Sequence, residues 1–136
     1  MKKFAKIMAV ALVAVLALAA LVACGPNSDP DKAVASLKKN EYTAIKDTAL
    51  ALILKGLGVN DIEAVVSGTK VVDDGDNKKT ETVTIVYFAD SKAAKAAWEK
   101  LESYAESKKG DSKDWTVAQS GAMIYWGTSA AIKAAA

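Results

Sequence analysis

Residues 80–110 read TETVTIVYFADSKAAKAAWEKLESYAESKKG, and the change of period inside this stretch decides the fold class. Residues 80–89 are dominated by β-branched and aromatic side chains, the composition of a strand on a pleated, half-buried surface. Alternation sends Val83, Ile85 and Tyr87 to one side and Thr82, Thr84, Val86 and Phe88 to the other. From Asp90 the period lengthens. Asp90 and Ser91 offer a helix cap, and Ala94, Ala97, Trp98, Leu101, Tyr104 and Ala105 follow at three- and four-residue spacing. One helix face is therefore expected to be buried, with Lys108, Lys109 and Gly110 as its stop.

Working outward, residues 62–72 (IEAVVSGTKVV) read as a second strand. Residues 73–77 (DDGDN) read as a turn cluster, so the two strands form an antiparallel hairpin with a long acidic tip. On the C-terminal side, residues 115–119 and 122–128 form another hairpin through Ser120 and Gly121, and Ser129 caps a final helical stub. On the N-terminal side, Asp29, Pro30 and Asp31 are a helix-start signature, and Ala33, Val34 and Leu37 give that helix a narrow apolar stripe. Lys38 and Lys39 suit its end, and Asn40 is the expected left-handed stop. Residues 41–47 (EYTAIKD) suggest a short strand. Residues 48–57 (TALALILKGL) suggest a buried helix, or a continuation of that strand; either way they are expected in the core. The expectation is an α+β domain: an antiparallel sheet of four to five strands with helices mainly on one face, in the manner of a ferredoxin-like fold.

Charge and composition narrow the function. The chain has 18 basic and 16 acidic residues, but three lysines fall within the first six positions, which leaves 15 against 16 beyond them. Every basic residue is lysine. Bidentate phosphate and base-edge contacts favour arginine, and a near-neutral domain has no basic footprint, so nucleic acid is not an expected partner. The chain lacks histidine, the commonest general base and metal ligand. Its single cysteine, Cys24, permits neither an internal disulfide nor a thiolate cluster.

Residues 1–6 (MKKFAK) are positively charged and residues 7–23 are apolar without interruption. That run is short and alanine-rich for a span, which takes about 20 strongly apolar residues, and it matches the charged and apolar regions of a secretory signal. It ends in Leu21-Val22-Ala23-Cys24, which resembles the lipobox of bacterial lipoproteins. The resemblance implies cleavage between Ala23 and Cys24, with a diacylglyceryl group on the Cys24 thiol as the covalent lipid and no other cofactor. An uncleaved anchor, or an ordinary signal with an incidental cysteine, are the alternatives. The expected organisation is a lipoprotein signal peptide at 1–23, a lipidated cysteine and polar tether at 24–29, and one α+β domain at 30–136. Such a tether would reach roughly 20 Å when extended. The phrases DPDKAVASLKKNEYTA, IEAVVSGTK, VYFADSKAAKAAWEKL and QSGAMIYWGTSAAIKA are similar to those of small lipoproteins of Gram-positive bacteria. The resemblance brings no catalytic motif, and Glu41 departs from it, standing where that group carries a glycine after Asn40.

Several residues remain as site candidates. Asp73, Asp74 and Asp76 are a weak calcium candidate, since the full twelve-residue loop is absent. Ser67, Thr69 and Ser120 would need a lysine as base to act as nucleophiles. Tyr125 and Trp126 are adjacent on a strand and face opposite sides. If helices cover only one side of the sheet, one of them, with Tyr87 or Phe88, lies on an open face that could dock a peptide, glycan or partner; core packing is the alternative reading. These readings combine as a lipid-anchored protein on the extracytoplasmic face of the cell membrane. Its domain is expected to be non-enzymatic and to bind an envelope protein or small ligand, or to serve as an accessory subunit of a membrane complex. An exposed apolar face near about 1,000 Å² would favour a protein partner and a closed pocket a small ligand.

Overall fold

A computed structural model describes residues 25–136. The expected cleavage site at Ala23, the lipidation site at Cys24 and the signal peptide at 1–23 lie outside the described residues.

The elements run α1 (Pro30–Lys39), β1 (Thr43–Lys46), α2 (Thr48–Gly56), β2 (Ile62–Asp74), β3 (Asn77–Phe88), α3 (Ser91–Lys108), β4 (Thr116–Ser120), β5 (Met123–Gly127) and α4 (Ser129–Ala134). The five strands form one antiparallel sheet in the order β1-β2-β3-β5-β4, and the fold is α+β. β3 and β4 both run antiparallel to β5, so α3 crosses between two parallel strands that have a third between them. This split βαβ unit is shared with ferredoxin-like folds. The remaining order is not, because β1 lies on the outer edge beside β2.

The alternation read in residues 82–88 is borne out, and both faces of the sheet are packed. On one face, Val83, Ile85, Tyr87, Met123 and Tyr125 meet Ala33 and Leu37 of α1 and Ala131 and Ile132 of α4. On the other, Val65, Val86, Phe88, Ile124 and Trp126 meet Leu54 of α2 and Ala94, Ala97, Leu101 and Ala105 of α3. Helices therefore cover both faces, not mainly one. The physical reason is visible in β5, whose five residues are all buried: a strand apolar on both sides needs a layer against each.

Capping follows the residue types. The Asp29 carboxylate accepts from Asp31 N–H at 2.9 Å, and the Asp90 carboxylate accepts from Ala93 N–H at 2.8 Å. α1 ends at Lys39 as expected, but the left-handed residue follows one position later than expected. Asn40 keeps a negative φ and Glu41 takes the left-handed conformation, φ 70°, a conformation that favours glycine. The Ser129 hydroxyl does not cap α4; it donates to Asp114 at 3.0 Å, and Thr128 occupies the cap position.

Two glycines are required by close approach. A Cβ on Gly127 would lie 2.1 Å from the Thr82 carbonyl oxygen, so only glycine lets the end of β5 rest on β3. A Cβ on Gly68 would meet a Leu37 methyl at 2.8 Å, so α1 sits on β2 through a leucine seated over a bare backbone.

Two departures from expectation affect function. The acidic tip is not a long loop. Pairing continues through Asp73–Lys78 and Asp74–Asn77 to a two-residue turn with Gly75 at φ 68°. β2 and β3 thus extend beyond the last partners of their neighbours, Thr69 and Val83, as a two-stranded arm. The second departure is at the N-terminal boundary. Gly25 and Pro26 are buried, and Asn27 is held at both backbone groups. Its N–H donates to Ala135 O at 2.8 Å, and its carbonyl accepts from the Tyr87 hydroxyl at 2.7 Å. Residues 25–29 are thus part of the domain and not a free tether.

Candidate interaction surface

The expected open aromatic strip does not exist. Tyr125 and Trp126 are each 2% exposed and Tyr87 is 5% exposed. Tyr87 and Tyr125 lie beneath α1 and α4. Trp126 lies beneath α3, in an edge-to-face contact with Tyr104 at 5.9 Å between ring centroids. Burial pushes the Tyr125 hydroxyl above its ordinary pKa. Burial and then the Asp29 charge push the Tyr87 hydroxyl far above it. Both rings are structural: they fill the core and, through Tyr87, hold the N-terminal segment.

The hydroxyl and carboxylate candidates are separated. Ser67 donates to Asp47 at 2.9 Å, Thr69 faces Thr43 and Thr82 in the ladder, and no lysine among the described residues lines the cleft containing Ser120. Asp73 pairs with Lys78 at 3.1 Å, and Asp76 sits in the hairpin turn. Among the described residues no three acids, cysteines or histidines gather to hold a metal ion. The calcium loop suggested at Asp73, Asp74 and Asp76 is replaced by a paired hairpin.

What sequence reasoning missed is an apolar ridge on α2. Asp47 starts this helix: its carboxylate accepts from Leu50 N–H at 2.9 Å while also accepting from Ser67, which pins the helix start to β2. At the other end the Val59 N–H returns to Leu54 O at 3.1 Å, so Leu54 and Val59 enter the core together. With nine residues, the helix buries Leu54, packs the half-buried Leu50 and Ala51 against the core, and leaves its remaining large apolar side chains outside. Leu52 is 68% exposed, Ile53 53% and Leu57 53%, and Ile45 on edge strand β1 is 54% exposed. The segment expected in the core is therefore a surface element.

The ridge borders a groove. A cleft of about 500 Å³ runs from Leu57 to Glu99, Lys100, Ser103, Tyr104 and Ser107 of α3. The half-buried Tyr104 ring supplies an apolar wall, and Lys100 donates to Gly58 O at 3.3 Å, tying α3 to the end of α2. The rim carries one acid and one base, so it favours neither sign of charge. A second cleft, also about 500 Å³ and more polar than the first, lies at Asn40, Tyr42, Lys70, Ser129 and Lys133. There Lys70 sits 5.3 Å from the Tyr42 ring centroid and donates to Asn40 O. Cross-strand from Lys70, the buried Glu81 has no hydrogen-bond partner for Oε1 among the described residues, while Oε2 lies 3.4 Å from Lys79. That orphaned oxygen is itself shielded from solvent, which keeps it from greeting a ligand in the cleft.

What fold and surface define is a single-sheet α+β domain with an apolar ridge at one edge. Comparison with protein-family models, curated proteins and solved structures found no match to the chain.

Proposed function

We propose that this is a membrane-anchored extracytoplasmic lipoprotein, attached through Cys24, whose domain binds a partner protein without catalysis. The anchoring half rests on the sequence: a charged start, an apolar run and Leu21-Val22-Ala23-Cys24 holding the chain's only cysteine. Two acyl chains give stable attachment where one holds marginally. Among the described residues no helix is long and apolar enough to cross a membrane, so nothing there competes with the lipid as the anchor.

The binding half rests on one observation, the exposure of Leu52 and Ile53 on α2 and of Leu57 at its C-terminal cap, where Leu57 lines a groove walled by Tyr104. Large apolar side chains left exposed close together in sequence on one short element are a feature of interaction sites. Its shape, a ridge along a groove between two helices, suits the apolar face of a helix from another envelope protein, with Glu99 and Lys100 at the polar rim.

Two experiments test the two halves. Cys24→Ser is expected to abolish lipid labelling and detergent partitioning, and unchanged labelling would sink the anchoring half. For the binding half, a photo-cross-linker at Leu52 on intact cells should capture one defined neighbour. Ile53→Glu should lose that capture at an unchanged melting temperature, whereas equal capture by the Ile53→Glu protein would rule the ridge out.

A further inference from the structure

The docked N-terminal segment gives the domain a fixed polarity relative to its anchor. Gly25 and Pro26 are buried, and Asn27 is bonded to Ala135 and Tyr87. Asn27 follows Cys24 by three residues, a chain length that reaches about 11 Å when fully extended. Ser28 and Pro30 continue along the end of the sheet, lining a cleft with Glu63, Phe88 and Ser120. The same end carries the Ala89 N–H to Asp61 O hydrogen bond and the start of α3 at Ser91. The β2–β3 arm leaves from the opposite end. Along β2, Ala64 faces Tyr87 and Asp74 faces Asn77, ten residue steps apart and about 33 Å of strand.

Resting on the anchoring reading above, we propose that the domain stands upright on the bilayer. The end bearing Ser28, Glu63 and Ser91 rests on the lipid headgroups, and the β2–β3 arm is the outward-facing tip. The partner of the lower end is a lipid surface, held by the short covalent mount and not by charge. Asp61, Glu63 and Asp90 are exposed there, and acids are not drawn to an anionic leaflet. The arm, which exposes Asp73, Asp76, Lys78 and Lys79, then meets whatever approaches from outside.

The test uses the lipidated full-length protein in phosphatidylcholine vesicles doped with a headgroup quencher. Acylated Cys24 leaves an introduced cysteine as the labelling site, so fluorophores go on Ser91→Cys at the lower end and Asn77→Cys at the tip, both exposed positions. Quenching is expected to be several-fold stronger at residue 91 than at residue 77. A ten-residue Gly/Ser insert between Cys24 and Gly25, reaching about 17 Å on average, should shrink that difference while leaving the docked segment intact. Equal quenching at the two sites, with lipid on Cys24 verified by mass spectrometry, would overturn the upright mount and leave the anchoring reading standing. A mass showing no lipid would overturn both.

Discussion

α2 and α3 lie on the same side of the sheet and use their apolar residues in opposite ways. α2 is apolar at six consecutive positions, 49–54, and fully buries only Leu54, with Leu50 and Ala51 half-buried beside it and Leu52 and Ile53 exposed. α3 is laced with lysine and glutamate, and it buries Ala94, Ala97, Leu101 and Ala105 in one stripe. The difference lies in spacing, not in quantity. Residues three and four apart share a helix face, whereas an uninterrupted run is apolar all round and, on a short edge helix, must leave most of itself outside.

The sharpest way to break this contrast is to truncate the buried leucine of each helix. Leu101→Ala and Leu54→Ala are each expected to lose about 2–5 kcal/mol by denaturant titration, since both side chains are fully buried. If Leu54→Ala is neutral, α2 is not held by the core at all. Next come the caps. Asp47→Ala and Asp90→Ala each remove an acceptor for a helix N–H and should cost about 0.5–2 kcal/mol. Asp47→Ala is expected to be the more harmful, because Ser67 loses its partner as well.

The far side of the sheet offers a control of similar size. Tyr87→Phe removes the hydroxyl that holds the Asn27 carbonyl, and about 0.5–1.5 kcal/mol should go with it. Faster hydrogen exchange at Asn27 N–H would locate the loss. The raised pKa values of Tyr42, Tyr87 and Tyr125 set the sign of the alkaline response. Above about pH 10 the unfolded chain releases protons that the folded chain retains, so stability falls as pH rises. Below that range these three residues leave stability flat with pH, and a pH series of melting temperatures checks both arms. The smallest effect belongs to the ridge: Leu52→Gln should change stability by no more than about 0.5 kcal/mol. A large loss there would mean that α2 is buried against something in the isolated protein.

Much of the fold was legible because its signals are local. The alternation at Val83, Ile85 and Tyr87, the stripe through Ala94 and Leu101, and the caps at Asp29 and Asp90 each lie within a few residues of what they determine. What escaped depended on tertiary partners. Whether Tyr125 and Trp126 are covered depends on how α1, α3 and α4 pack back onto the sheet, although the unbroken apolar run from Met123 to Trp126 signals cover on both sides. The candidate site was harder still. Nothing within residues 48–57 reveals that β1 lies at the sheet edge, and it is the edge position that leaves α2 without a second layer. The docking of residues 25–27 uses backbone groups and Tyr87, so its polar composition resembled a free linker.

The β2–β3 turn has a consequence for the order in which the chain acquires structure. Gly75 and Asp76 close the shortest loop between the two longest strands, and short loops close at little entropic cost. Twelve residue pairs can then form in succession without waiting for any distant segment. β5, by contrast, must return across the whole of α3 before it finds β3. Contacts close in sequence form fastest, so assembly is expected to start at the hairpin tip and travel inward. The last segment to lock would be residues 25–27, whose partners Tyr87 and Ala135 lie 60 and more positions away. Pulse-labelled hydrogen exchange during refolding would show that sequence directly, with early protection in the arm and late protection at Asn27.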